Sequence, residues 1–261
     1  MKSKKKAGGS EMLSKATKKK LWSIARKMLE KYEDRVWHCE RMYKDFEILR
    51  ESNQDQSDFD GMWEVLECGI ILHDIGISKN PGPNHQKESE KLLKKLIAEG
   101  KLDFLSGLQK KWLLYAVANH SSGVKKRDKP IDDSDYKNLC LQLLSSIDHL
   151  DHLTKEGTHE RVTQIKGFEI PDLPLPNEKW SERKIINLFR SKTREDITPD
   201  MRSEMRDKSV FGYLVFQLLV TDQVLAPVSP FFERGKMRKV VADRKEFMEN
   251  HINDFLNRAE K

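Results

Sequence analysis

The chain has 261 residues, 37% of them hydrophobic and 34% charged, with a net charge of +6. That is too apolar for a disordered chain, and long enough for one large domain or a domain with an appendage. Only 13 glycines and 9 prolines punctuate it, so long helices and few turns are expected.

Residues 1–16 form a Lys/Gly/Ser-rich tail, read as disordered and solvated. Leu21, Ile24, Met28 and Tyr32 then recur at helical spacing and predict a first helix with one buried face. A second helix is expected from about Arg35 to Arg50, with Cys39, Met42, Phe46 and Leu49 inward. The polar stretch Ser52–Ser57 reads as a loop, and a third helix near Gly61–Asp74 is expected to stop at Gly76. Asn80-Pro81-Gly82-Pro83-Asn84 is a turn that a helix does not cross, and Asn84 and Gly100 suit the N-cap and the stop of a fourth helix. Leu105, Leu108, Trp112 and Tyr115 trace a fifth helix ending at His120. A basic loop with Lys125, Lys126, Arg127 and Lys129 follows, and Asp132 or Ser134 would cap a sixth helix carrying Leu139, Leu143, Ile147 and Leu150.

After Gly157 the character changes. Residues 161–176 are irregular and proline-rich, with a short hairpin expected about Lys166-Gly167 and a brief helix capped by Ser181. Two last helices are expected at about 199–226 and 233–258, with Thr198-Pro199 as cap and first-turn proline. The apolar stretch Val210–Val228 contains Gln217, Asp222 and Gln223 and reads as a core helix, not a membrane span. The expected organisation is a tail (1–16), a helical domain (17–155), an irregular linker (156–198) and a helical C-terminal extension (199–261) that completes the core, covers the site or forms a homodimer seam. Cys39, Cys68 and Cys140 show no CxxC spacing and, with no N-terminal apolar leader, read as reduced buried thiols of a cytoplasmic protein.

One pair of residues breaks the apolar pattern. His73-Asp74 closes the run Gly69-Ile70-Ile71-Leu72, where a polar side chain needs a partner. His38 stands near the start of the second helix, His85 follows the Pro-Gly-Pro turn, His120 closes the fifth helix, and Asp148 follows Leu141 and Leu144 at helical spacing. A carboxylate near an apolar face costs several kcal/mol without a cation beside it. His38, His73, Asp74 and Asp148 form a mixed N/O set suited to a borderline or hard divalent metal, with positions left for water and substrate. His149, His152 and His159 follow on a charged stretch and are read as solvated or as supporting neighbours of the ligand aspartate. His251, beside Ile252 and Phe255, is read as structural.

The order His, His-Asp, Asp resembles the HD-domain superfamily of metal-dependent phosphohydrolases. His38-Cys39-Glu40-Arg41 looks like the family's first histidine motif, Leu72-His73-Asp74-Ile75-Gly76 like its central signature, and Ile147-Asp148-His149-Leu150-Asp151 like its last. The resemblance covers roughly residues 20–155 and implies an all-α, HD-like helical bundle. His85 and His120 resemble the extra ligands of the dinuclear branch, which includes enzymes acting on bis-nucleoside polyphosphates and cyclic dinucleotides. By that resemblance Asp74 bridges two ions, with His85 and His120 holding the second. The cofactor expected is one or two divalent ions: Fe, Mn, Ni or Co, with Mg a further candidate.

The reaction implied is hydrolysis of a phosphoester or phosphoanhydride in a phosphorylated small molecule, a nucleotide above all. The metal would acidify a bound water and polarise the phosphoryl oxygen. Asp151 is a candidate base. Lys79, just past the central signature, Arg41, one turn beyond His38, and the Lys125-Lys126-Arg127 loop are candidate phosphate contacts. Two other readings stay open: a di-iron oxygenase of the HD-like class, and a non-catalytic regulatory or nucleic-acid-binding scaffold. The scaffold is disfavoured, since the ligand set is complete and no RNA-binding or zinc-finger signature is present.

Overall fold

The computed structural model describes residues 13–55, 59–81, 84–120, 135–158 and 210–259, and every regular element among them is helical. The expected all-α class is therefore observed. The N-terminal residues 1–12, the loop with Lys125 and Lys126, Asp132, Ser134, the Lys166-Gly167 hairpin, the Ser181 helix and the Thr198-Pro199 start lie outside the described residues.

By backbone contacts the chain forms two compact units. The first is Met1–Ile147 with Pro227–Met237, and the second is Asp148–Ala226 with Arg238–Lys261. The division falls inside a helix, one residue before Asp148.

The first unit contains α1 (Lys15–Met28), α2 (Glu33–Glu51), α3 (Asp60–Leu72), a 3-10 helix (Ile75–Ser78), α4 (His85–Ala98), α5 (Gly107–Asn119) and most of α6 (Tyr136–Asp151). α3, the most apolar of these in sequence, packs against α1, α2 and α5, while α4 packs on α5 and the 3-10 helix. Met42, Phe46, Leu66, Ile70, Leu113 and Leu143 are buried in this core. Phe46 and Trp63 stand with ring centroids 6.2 Å apart, and Trp63 in turn lies 6.2 Å from Phe231, so the segment 227–237 completes the aromatic core of this unit.

Local chemistry sets the helix ends. Ser14 caps α1 by accepting from the Thr17 amide at 3.1 Å. Ser106 and Gln109 form a reciprocal capping box on α5. At the end of α4, Gly100 adopts φ +69°, Lys101 N–H donates to the Leu96 carbonyl and Gly100 N–H to that of Ile97. This double bond pattern is the one a left-handed C′ residue creates, and it bears out Gly100 as the stop. Asn84 occupies the N-cap position of α4, but without the expected side-chain hydrogen bond. Asp135 caps α6, its carboxylate accepting from the Asn138 amide at 3.2 Å.

Three expectations need correction. α1 ends at Met28, and Tyr32 instead begins α2, packed on Leu29, Val36 and Ile77. Leu108 is exposed; α5 buries Gln109, Leu113, Ala116 and Val117, with Trp112 and Tyr115 half-buried at the margin. Gly76 does not stop α3, which closes at Leu72 and passes through His73 and Asp74 into the 3-10 helix. Its role is close approach. A Cβ on Gly76 would sit 2.2 Å from the His85 carbonyl oxygen and 2.3 Å from the Ser89 amide nitrogen. The Gly76 amide donates to Ser89 Oγ at 2.8 Å. The first turn of α4 thus lies directly on the segment that follows Asp74.

The second unit contains the end of α6, α7 (Val210–Leu225) and all but the first turn of α9 (Gly235–Ala259), which follows the short α8 (Ser229–Phe232). Leu214, Leu218, Val224, Met248 and Ile252 are buried in it. Lys245 pairs with Asp222, and Arg244 donates to the Leu150 carbonyl at 3.2 Å. His251 is exposed and stands against Phe247, not on an inner face. No described helix is long and apolar enough to cross a membrane.

Candidate metal centre

The first unit gathers five of the expected ligands. His38 projects from α2, His73 and Asp74 from the end of α3, His85 from the first position of α4 and His120 from the end of α5. Four of them are buried, and His85 is partly so. Two groups result, His38/His73/Asp74 and Asp74/His85/His120, and within each the ligand atoms lie within 4.8 Å of one another. Asp74 belongs to both.

The geometry centres on one oxygen. Asp74 Oδ1 lies 3.1 Å from His85 Nε2, 3.5 Å from His73 Nε2 and 3.9 Å from His120 Nε2. Two donors about 2.1 Å from one ion, at angles of about 90–109°, stand about 3.0–3.4 Å apart. The observed separations lie in and just beyond that range. The rings are neighbours too, with centroids 5.4 Å apart for His38 and His73, 5.1 Å for His73 and His120, and 5.5 Å for His85 and His120.

Two helix ends aim these rings. His73 is the C-cap of α3, and its Nδ1 lies 3.0 Å from the Ile70 carbonyl; His120 is the C-cap of α5, and its Nδ1 lies 2.7 Å from the Val117 carbonyl. A carbonyl can only accept, so each Nδ1 carries the proton and each ring turns its Nε2 towards the cluster. The same bonds satisfy carbonyls that the last turn of a helix leaves unpaired. Backbone anchoring of the far nitrogen is the arrangement that fixes metal-binding histidines. α6 braces one of these ends: Ser145 Oγ donates to the His120 carbonyl at 2.6 Å. The helix macrodipole also places partial negative charge at both C-termini, which favours a cation there.

Arg35 completes the surroundings of Asp74. It lies three residues before His38 on α2, and its Nη1 stands 3.8 Å from Asp74 Oδ2. Burial alone would push the Asp74 carboxyl up. The charge of His73, the hydrogen bond and charge of His85, and the Arg35 guanidinium outweigh that and hold it well below the usual carboxylate range. Nothing in the apolar pattern singled Arg35 out; its helical spacing from His38 is the signal that could have found it.

No family model, curated protein or solved structure matches this chain. The site is therefore judged on its own donors. One carboxylate oxygen and several imidazole nitrogens, converging and mostly shielded from water, could hold a metal ion.

The remaining expected residues are distributed differently. Asp148 and Asp151, both buried, belong to the second unit. There Asp148 Oδ1 stands 3.7 Å from His152 Nε2, while His152 Nδ1 meets Gln217 Oε1 at 3.2 Å. His152 is buried beside Asp148, the supporting-neighbour reading and not the solvated one, and α7 supplies Gln217 to cover it. Lys79 is exposed at the end of the 3-10 helix, and Arg41 is half-buried on α2. Cys39, Cys68 and Cys140 are buried thiols outside any disulfide, and burial raises the Cys68 and Cys140 thiols, which keeps them protonated.

Proposed function

We propose that this chain is a metal-dependent phosphohydrolase, cleaving a phosphoester or phosphoanhydride of a nucleotide-like substrate, in keeping with its resemblance to the HD superfamily. The observation that carries the reading is the sharing of Asp74 between two adjoining histidine groups, which suits a pair of ions bridged by one carboxylate. Bound divalent ions would supply Lewis acidity towards a phosphoryl oxygen and an acidified water for in-line attack.

The protein's part is positional. His73 and His120 present Nε2 because their other nitrogens are tied to backbone. Asp74 stays ionised under the influence of His73, His85 and Arg35. Burial keeps bulk water from the donors, which strengthens every electrostatic contact within the site. The roles expected for Asp148 as a ligand, Asp151 as a base, and Lys79, Arg41, Lys125 and Lys126 as phosphate contacts belong to the same proposal and rest on the sequence alone.

The test is elemental analysis of the purified chain, paired with phosphate release from nucleotides and phosphoesters in the presence of Mn, Fe, Ni, Co or Mg. About two ions per chain and metal-dependent phosphate release are expected. Oxygen consumption by the iron-loaded protein without phosphate release would select the oxygenase reading. A chain that binds no ion and turns over no phosphoester would leave the scaffold.

A further inference from the structure

Asp74 divides its two oxygens. Oδ1 faces three imidazole nitrogens, and Oδ2 faces the Arg35 guanidinium. Arg35 is mostly buried, with 14% of its side chain exposed, so its charge acts in a poorly screened setting. Asp34 also lies 3.7 Å from its Nε but is 40% exposed, and water screens much of that pairing.

This arrangement is unusual for a site that only holds cations. A guanidinium beside the shared carboxylate draws on the same negative charge that would bind the ions, and it repels them. Imidazoles add no negative charge, and the Arg35 guanidinium offsets that of Asp74. Divalent ions at the two groups would keep almost all of their positive charge, and the Asp148 carboxylate expected from the sequence would remove only part of the excess. Such a site is completed by an anion of high charge.

Phosphate classes differ in what they bring. A terminal phosphate carries about −1.5 to −2 at pH 7 and three outer oxygens. An internal phosphodiester carries about −1 and has only two. A third oxygen allows one phosphoryl group to meet metal ions and still pair with the fork of a guanidinium.

Resting on the phosphohydrolase reading above, we propose that Arg35 makes this a site for a terminal phosphate, the phosphomonoester dianion, in preference to an internal phosphodiester. Arg35 acts as a specificity-determining residue. It reads the dianion from beside Asp74 Oδ2.

The experiment is calorimetric titration of the manganese-loaded full chain with inorganic phosphate and with dimethyl phosphate. Wild type, Arg35→Gln and Arg35→Lys are compared, with metal content measured on the same samples. Wild type should bind phosphate more tightly than the diester by about 10- to 100-fold, the span set by charge-assisted hydrogen bonds. Arg35→Gln should lose most of that preference by weakening phosphate alone, and Arg35→Lys should fall between, both with unchanged metal. Equal affinity for the two anions in wild type, or unaltered phosphate affinity in Arg35→Gln, overturns the assignment. Loss of metal from both variants also overturns it, since removing a cation should not weaken cation binding unless Arg35 merely braces Asp74. Arg35-dependent phosphate binding without turnover of any phosphoester would support the anion assignment and count against the hydrolase reading.

Discussion

Both units bury histidine beside carboxylate, yet they hold the imidazoles differently. In the first unit His73 and His120 are tied through Nδ1 to carbonyls of their own helices, and their Nε2 atoms meet at Asp74 Oδ1. In the second unit His152 is tied to a side-chain amide, Gln217, and its Nε2 faces Asp148 at 3.7 Å. Among the described residues, the groups able to hold an ion lie in the first unit. Burial of a histidine near an acid is common to both. Convergence of two backbone-anchored rings on one oxygen separates them, and it has the stronger claim to chemistry.

The sharpest way to break that contrast is Asp74→Ala. Asp74 serves both groups, so the variant should lose essentially all bound metal and all metal-dependent phosphate release. Its helical circular dichroism should stay near wild type, and full activity would remove the site assignment. Asp74 also gives the contrast a pH signature. Its carboxyl is held low in the folded state, so the stability it lends is present above the ordinary carboxylate pKa of about 3.9 and is lost as pH falls through the depressed value. Denaturant melts of wild type and Asp74→Asn should therefore differ by a constant amount at neutral pH and converge only in strong acid.

His120→Ala should remove one group and spare the other, taking metal from about two ions per chain towards one. An unchanged stoichiometry would mean that the two groups do not act as separate positions. Gly76→Ala addresses position without touching a ligand. Its methyl would press on the His85 carbonyl, and displacement of α4 should cost about 1–3 kcal/mol in melts while weakening the ion held by His85. The smallest effect is expected from His152→Ala in the second unit: about 1 kcal/mol of stability and no change in metal content. A loss of metal there would erase the distinction between the two units.

Much of this was legible from residue order. Helical spacing located α2 to α6, and the polar interruption at His73-Asp74 marked the site, with His38, His85 and His120 joining it. What escaped depended on packing between elements. Leu108 sits on an apolar stripe of α5, but the helix is turned so that Gln109 and Leu113 face inward, and the two stripes look alike in one dimension. Gly76 read as a helix stop because a glycine after a helix commonly is one; its true constraint is the His85 backbone, set by a helix further along the chain. His152 read as solvated or as a neighbour of Asp148, because the Gln217 that covers it lies 65 residues away. Arg35 looked like one more charge in the first turn of a helix.

The caps on α3 and α5 have one more consequence. His73 and His120 close their helices through one ring nitrogen and turn the other to the cluster, so the last turn of each helix and a bound ion would share a single side chain. Local opening of either end would have to withdraw a ligand. Metal loading should therefore appear in the backbone itself, as slower amide hydrogen exchange through the final turns of both helices. The ion would act on the backbone as a clasp fastening two loose ends at once.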